Sequence, residues 1–117
     1  MPVVFIISEE WKLRAAVRAE LRERGIKALG METVHDAGRA IAAGELPSAI
    51  VLDANAAVTS SAALQTLLHR IPSVLIASRA TSTSPSSNET ARKVLFRPVQ
   101  ISEIVAAVLD LLKGQTS

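Results

Sequence analysis

Short apolar runs alternate with amphipathic helical patterns along almost the whole chain, and this alternation limits the possible folds most strongly. Val3–Ile7 is wholly apolar and rich in β-branched residues, as is typical of a strand buried on both faces. Over residues 10–24, Leu13, Val17 and Leu21 then recur every fourth residue among charged neighbours, which predicts a helix. Gly25 follows as a left-handed helix end.

The same alternation continues to the end of the chain. Further strands are predicted at residues 26–29, 49–52, 73–77 and 94–96, and further helices at residues 34–43, 61–68 and 101–113. Thr33 with Asp36 resembles a capping box at the start of the second helix. The Ser/Thr-rich residues 79–91 are expected to form a loop with at most one helical turn. Repeated strand–helix units with right-handed crossovers predict an α/β fold, a doubly wound, five-stranded parallel sheet.

Size and composition restrict the class of protein. With 117 residues the chain is expected to form one domain, residues 1–117, and no cysteine is present for disulfides or thiolate metal sites. The net charge is only +2 and the basic residues are scattered, so direct nucleic-acid binding is not expected. No apolar run approaches the roughly 18 residues of a membrane span, and no leader peptide is recognisable. We therefore expect a cytoplasmic protein without membrane contact.

Polar side chains follow four of the predicted strands. They are Ser8, Glu9 and Glu10 after the first strand, Asp53 after the third, Ser78 after the fourth, and Arg97 before Pro98 after the fifth. In an open parallel sheet the carboxyl ends of the strands share one edge, where ligand sites form. Carboxylates, a hydroxyl and a fixed cation suit a phosphoryl site. Taken alone, an aspartate such as Asp53 at a strand end is usually a turn or cap residue, and the two glutamates could simply interact with the dipole of the first helix. The convergence of four strand ends is what favours a site.

These residues lie in motifs that resemble the receiver domains of two-component response regulators. The motifs are SEE, AIVLD, VLIAS and FRP, and the resemblance covers essentially the whole chain. It implies a flavodoxin-like sheet with strand order 2-1-3-4-5. It also implies that Asp53 accepts a phosphoryl group from a histidine kinase, a phosphotransfer protein or a small phosphodonor.

The resemblance further implies a magnesium site beside Asp53. Its acidic ligand would be Glu9, together with Glu10 or Ser8 depending on register, and the backbone carbonyl of Asn55 would complete the protein ligands. Ser78 would donate a hydrogen bond to the phosphoryl group. Arg97 would stand where receivers carry a lysine, before a cis bond to Pro98.

The chain also departs from the family pattern. Receivers carry an acidic pair where this chain has Ser-Glu-Glu, and glutamate reaches a metal from a different angle than aspartate. Arginine is planar and bulkier than the usual lysine. The Met-Pro-x-x-Gly motif after the acceptor is replaced by ANAAVTSS, Val94 replaces an aromatic residue, and the fourth helix is short or missing in residues 79–91.

The expected function is therefore a receiver domain in a two-component phosphorelay, which signals by conformational change to a downstream protein or to a second copy of the chain. It would be a phosphoacceptor and not an enzyme, apart from self-catalysed phosphotransfer and dephosphorylation, with Mg²⁺ as cofactor. The alternative is a pseudo-receiver that binds proteins independently of phosphorylation. A less favoured alternative is an unrelated flavodoxin-like enzyme or ligand carrier using the loop at residues 79–91.

Overall fold

A computed structural model describes residues 2–53, 70–77 and 93–114. The strands are β1 (Val3–Ile7), β2 (Lys27–Met31), β3 (Ala49–Asp53), β4 (Ser73–Ala77) and β5 (Lys93–Phe96), and the helices are α1 (Trp11–Glu23), α2 (Val34–Ala42) and α3 (Ile101–Gly114). The predicted helix at residues 61–68 and the predicted short or missing fourth helix lie outside the described residues.

The five strands form one parallel sheet in the order β2-β1-β3-β4-β5, as predicted. The chain leaves β1 toward β2 on one side and returns to β3 on the other. The strand order therefore reverses between the carboxyl ends of β1 and β3, where ligand sites of such sheets are found. Ile7 pairs with Leu52 there, one residue before Ser8 and Asp53.

Alternating strand residues divide the core into two clusters, one on each face of the sheet. Val4 and Ile6 pack with α1 and α3 on one face, whereas Phe5 and Ile7 pack with α2 on the other. The central strand β3 is buried along its whole length. Helices cover both faces of the sheet, so side chains on either face of a central strand are buried. This explains why the central strands are continuous apolar runs.

The ends of the first two helices follow the local signals in the sequence. Thr33 Oγ1 accepts a hydrogen bond from the Asp36 backbone N–H (3.1 Å), so the predicted cap of α2 is confirmed. Gly25 has a φ of +79°, as expected for a left-handed helix end. Its N–H bonds to the carbonyl of Arg22, and the N–H of Ile26 bonds to that of Leu21.

That turn explains why β2 begins one residue later than predicted. Because the Ile26 N–H is used to close α1, it is not available to the sheet, and β2 begins at Lys27 and continues to Met31. At the other end of the chain, α3 includes Gly114 instead of ending before it. Among the described helices, none is both long and apolar enough to cross a membrane.

Candidate functional site

Asp53 lies at the centre of a polar cluster at the carboxyl edge of the sheet. The residue is only 1% exposed, and β1 and β4 flank it in the sheet. Asp53 pairs with Ile76 at the end of β4. A carboxylate in this position costs free energy unless hydrogen bonds and opposite charge compensate its burial.

Ser8 supplies one of these hydrogen bonds. Its side chain is fully buried, and its Oγ donates to Asp53 Oδ2 at 2.9 Å. The Ser8 backbone N–H bonds to the carbonyl of Met31, which continues the pairing of β1 with β2 by one residue. The Ser8 Oγ also accepts the Glu10 backbone N–H at 3.1 Å. Ser8 is thus positioned by the sheet below it and by the start of α1 beside it.

Arg97 supplies the compensating charge. Its Nη2 lies 2.6 Å from Asp53 Oδ2, and its Nη1 lies 3.0 Å from Glu10 Oε1. The Arg97 backbone N–H bonds to the carbonyl of Ala77, so the residue continues the pairing of β5 with β4. The following peptide bond to Pro98 is cis, as the resemblance implied. Arg97 therefore joins a buried carboxylate to one that is half exposed.

The structure thus brings together Asp53, Arg97 and Glu10 of the predicted site residues. Glu9 is exposed and forms no hydrogen bond or ion pair with the rest of the described chain. Asn55 and Ser78 lie outside the described residues, so their predicted roles remain predictions. Of the three candidates after β1, it is Ser8 that contacts Asp53.

The alternation of side chains along the strands could have identified Ser8. Val4 and Ile6 face the α1 and α3 side of the sheet, and Ser8 continues that series whereas Glu9 does not. Asp53 likewise continues the series of Ala49 and Val51, which belong to the same cluster. Residues that reach one another at the edge should share this face. The period-two rule therefore favours Ser8 over Glu9.

Arg14 is a positioning residue that was not among the predicted site residues. Its Nη1 donates to the Ser8 backbone carbonyl at 2.6 Å, and its side chain runs beside Gly30 of β2. A Cβ at position 30 would lie 3.5 Å from the Arg14 Cδ, which is ordinary contact. No local pattern signals this contact, because it depends on how α1 packs against the sheet.

The described residues do not fit a magnesium ion beside Asp53. Mg²⁺ requires oxygen ligands in near-octahedral geometry. The facing oxygens of Asp53 and Glu10 both contact the Arg97 guanidinium, and Ser8 presents a hydroxyl proton to Asp53. The described ranges contain no group of three or more acidic or histidine side chains that could hold a metal ion.

Solved structures of receiver domains resemble this chain over nearly its whole length. A response regulator receiver protein from Burkholderia phymatum has 19% sequence identity and a TM-score of 0.78, covering 97% of this chain and 96% of that one. The Francisella response regulator 1452 receiver domain has 17% identity and a TM-score of 0.80, with coverage of 98% and 99%. NtrX from Brucella abortus, solved with ATP, has 16% identity and a TM-score of 0.76, and the match covers 99% of this chain but 28% of NtrX.

Comparison of the sequence alone identifies no relative. No protein-family model matches the chain. No curated protein matches it either. At such low identity the structural likeness shows only the fold. Any proposal about function has to be argued from the residues of the site. The strand order and the coverage nevertheless agree with the resemblance inferred from the sequence, and this chain has the fold of response-regulator receiver domains.

Proposed function

We propose that this chain is a receiver module of two-component signal transduction, in which Asp53 accepts a phosphoryl group and the resulting change is passed to a partner protein. The observation that carries the proposal is the placement of Asp53. Its carboxylate ends the central strand β3 at the switch point of the sheet, with a hydroxyl and a guanidinium bonded to Oδ2. Catalysis of phosphoryl transfer depends mainly on positioning and on compensation of charge.

In the proposed transfer, a carboxylate oxygen of Asp53 attacks the phosphorus of the donor. An oxygen–phosphorus bond forms, the bond from phosphorus to the donor breaks, and the donor keeps that bond's electron pair. A histidine kinase or phosphotransfer protein would supply the group from a phosphohistidine, whose nitrogen is the leaving atom. Arg97, already 2.6 Å from Asp53, would compensate the charge that develops on the phosphoryl oxygens. Ser78 retains its proposed role as a hydroxyl donor to them.

The signal would leave the site through Arg97. The transfer replaces the single charge of the Asp53 carboxylate by a phosphoryl group with about 1.5 to 2 negative charges, if it titrates like other phosphomonoesters, so the site gains roughly 0.5 to 1 negative charge at neutral pH. Arg97 would then exchange its contact with Glu10 for phosphoryl oxygens, because these carry more charge. Arg97 directly follows β5, and Lys93 of β5 is paired with Asp110 of α3 (2.9 Å). A displacement of Arg97 therefore reaches the surface of β5 and α3, which we propose contacts a downstream protein or a second copy of the chain.

The proposed partners are proteins, without direct contact to nucleic acid or membrane, and the proposed compartment is the cytoplasm. The module would not be an enzyme acting on a separate substrate; at most it would catalyse its own phosphorylation and dephosphorylation. Mg²⁺ is the cofactor that the resemblance implies. Because the described residues do not fit this ion, the transfer above includes no step that depends on it.

A phosphorylation-independent interaction module is the second candidate, and a specific observation favours it. Asp53 Oδ2 already accepts two hydrogen bonds, and one of its partners, Arg97, is also paired with Glu10. A side chain so engaged can serve simply to hold the ends of β1, β3 and β5 together. In this function the β5 and α3 surface would bind its partner constitutively.

Intact-mass spectrometry after incubation with a small phosphodonor separates the two candidates. The variants are wild type, Asp53→Asn, and Asp110→Asn as a control that removes an exposed aspartate. We expect one phosphoryl group on wild type and on Asp110→Asn, and none on Asp53→Asn. Wild type that stays unlabelled both with and without Mg²⁺, in an experiment that labels another receiver in the presence of Mg²⁺, would rule out the first candidate and leave the second.

A further inference from the structure

Arg97 occupies the space between the two carboxylates that meet at this edge of the sheet. Its guanidinium reaches Asp53 Oδ2 with one nitrogen and Glu10 Oε1 with the other, at 2.6 and 3.0 Å. The planar fork of arginine makes this bridging contact possible, whereas the ammonium of a lysine is a point charge. Within the described part of the chain, the same two carboxylates are those that contact Arg97 and could ligate a divalent cation beside Asp53.

Arginine cannot give up this position by losing its proton. Its guanidinium stays charged at every pH at which proteins are folded. A dication placed between Asp53 and Glu10 would therefore meet a fixed positive charge within a few ångströms, where Coulomb repulsion is strong in a partly buried site. Burial reinforces this, because the Asp53 side chain is only 2% exposed and that of Arg97 25%.

Ser8 also makes cation binding less favourable, because it supplies a hydroxyl and not a carboxylate. Receivers carry an acidic residue in this part of the sequence, but Ser8 adds no negative charge and directs its hydroxyl proton at Asp53 Oδ2. Asp53, Glu10 and Arg97 together carry one net negative charge, which is a weak attraction for an ion that sheds its water reluctantly.

We propose that Arg97 is the resident counter-ion of Asp53, that it takes the place of a divalent metal, and that removal of its charge converts the cluster into a divalent-cation site. The inference goes beyond the proposed function, because it concerns the cluster before any phosphoryl group arrives. It holds equally for a phosphorylated receiver and for a constitutive interaction module.

The test measures cation binding without any phosphodonor. Uptake of Mn²⁺ is followed by electron paramagnetic resonance of the free ion, and thermal unfolding is compared in MgCl₂ and in NaCl of equal ionic strength. The proteins are wild type, Asp53→Asn, Arg97→Gln, Asp53→Asn with Arg97→Gln, and Lys93→Gln. Lys93→Gln is the matched control, because it removes a cation from the exposed pair with Asp110.

Wild type and Lys93→Gln are expected to take up no Mn²⁺ at Asp53 and to have the same Tm in both salts. Arg97→Gln is expected to bind one Mn²⁺ and to gain several degrees in Tm from MgCl₂, since a ligand of the folded state stabilises it by mass action. The double variant should lose this response, because Asp53 no longer supplies a carboxylate.

Two results would overturn the proposal. One is stoichiometric Mn²⁺ uptake by wild type that Asp53→Asn abolishes, because Asp53 would then hold a dication in the presence of Arg97. The other is a folded Arg97→Gln that binds no cation, because something other than Arg97 would then exclude it. Should Arg97→Gln not fold, the comparison of wild type with Asp53→Asn decides alone. Since no phosphodonor is present, the outcome is separate from that of the mass experiment.

Discussion

At the scale of single residues, Arg97 is the side chain on which the cluster depends. It contacts a buried aspartate and a half-exposed glutamate at once, and the two contacts differ in energetic weight. The pair with Glu10 faces water, where ion pairs contribute about 0 to 1 kcal/mol. The pair with Asp53 compensates a charge that water cannot reach, so its loss should lower the free energy of unfolding of the whole domain.

Replacing Arg97 with Gln is therefore expected to destabilise the fold by roughly 2–4 kcal/mol, somewhat less than for a fully buried pair because Arg97 is partly exposed. Urea denaturation measures this change in the free energy of unfolding. Asp53→Asn with Arg97→Gln should recover most of the loss, since no buried charge remains. Additive effects of the two substitutions in the double-mutant cycle would show that the pair is not coupled.

At the scale of elements, the turn after α1 shows how backbone geometry sets the start of β2. Gly25 adopts a positive φ, and its turn places Ile26 against the carbonyl of Leu21. Gly38 lies in α2 with helical geometry, and like Gly25 it has open space where a Cβ would stand. The two glycines thus differ in backbone conformation and not in crowding.

Alanine at these two positions is expected to have opposite effects. Gly25→Ala should destabilise the protein by about 1–2 kcal/mol, because a left-handed backbone is unfavourable for residues with a Cβ. Gly38→Ala should stabilise it by roughly 0.5–1 kcal/mol through helix propensity. Chemical denaturation of the two variants checks both signs. An equal loss of stability in both would contradict the backbone explanation.

The ion pair between β5 and α3 has a consequence for pH. A hydrogen bond from Lys93, followed by the charges of Lys93 and Lys113, lowers the pKa of Asp110 below its ordinary value. Because the folded-state pKa is the lower one, the pair's stabilisation is complete above the ordinary aspartate pKa and is lost as the pH falls through the lowered pKa. The window is thus acidic, and the exposed position makes the effect sensitive to salt.

Lys93→Met is expected to raise the pKa of Asp110 toward its ordinary value. A carboxyl-carbon NMR titration of Asp110 measures the shift. Lys27→Met is the control, because it breaks the other exposed pair, with Glu45, and should leave Asp110 unchanged. An unchanged Asp110 titration in Lys93→Met would show that the pair does not persist in solution.

At the scale of the whole molecule, the cluster between the sheet, α1 and α3 holds the layers together. Ile104 is fully buried in it, whereas Leu46 is 73% exposed outside either core cluster. Ile104→Ala is expected to cost about 2–5 kcal/mol through lost burial and the cavity left behind. Leu46→Ala should stay within about 0.5 kcal/mol of wild type. Urea denaturation curves of the two variants provide the comparison, and equal losses would contradict the assignment of this core.

The elements of this molecule could be predicted closely because their signals are local. Val3–Ile7 and Ser73–Ala77 were predicted with their observed bounds, since continuous apolar runs and the polar residues around them are visible in sequence. The first residue of β2 was missed because it depends on which N–H closes α1. Arg14 was missed because its contact with the Ser8 carbonyl depends on how α1 packs against the sheet.

The sequence by itself determined the alternating elements, the buried central strands and the convergence of Asp53 and Arg97 at one edge, because periodicity and strand parity are properties of neighbouring residues. Strand parity likewise favours Ser8 over Glu9 as a neighbour of Asp53. Only the tertiary structure decided that the Arg97 guanidinium spans Asp53 and Glu10, and that Arg14 bonds to the Ser8 carbonyl. These contacts depend on how the helices pack against the sheet and on the directions of long side chains, which no local pattern specifies.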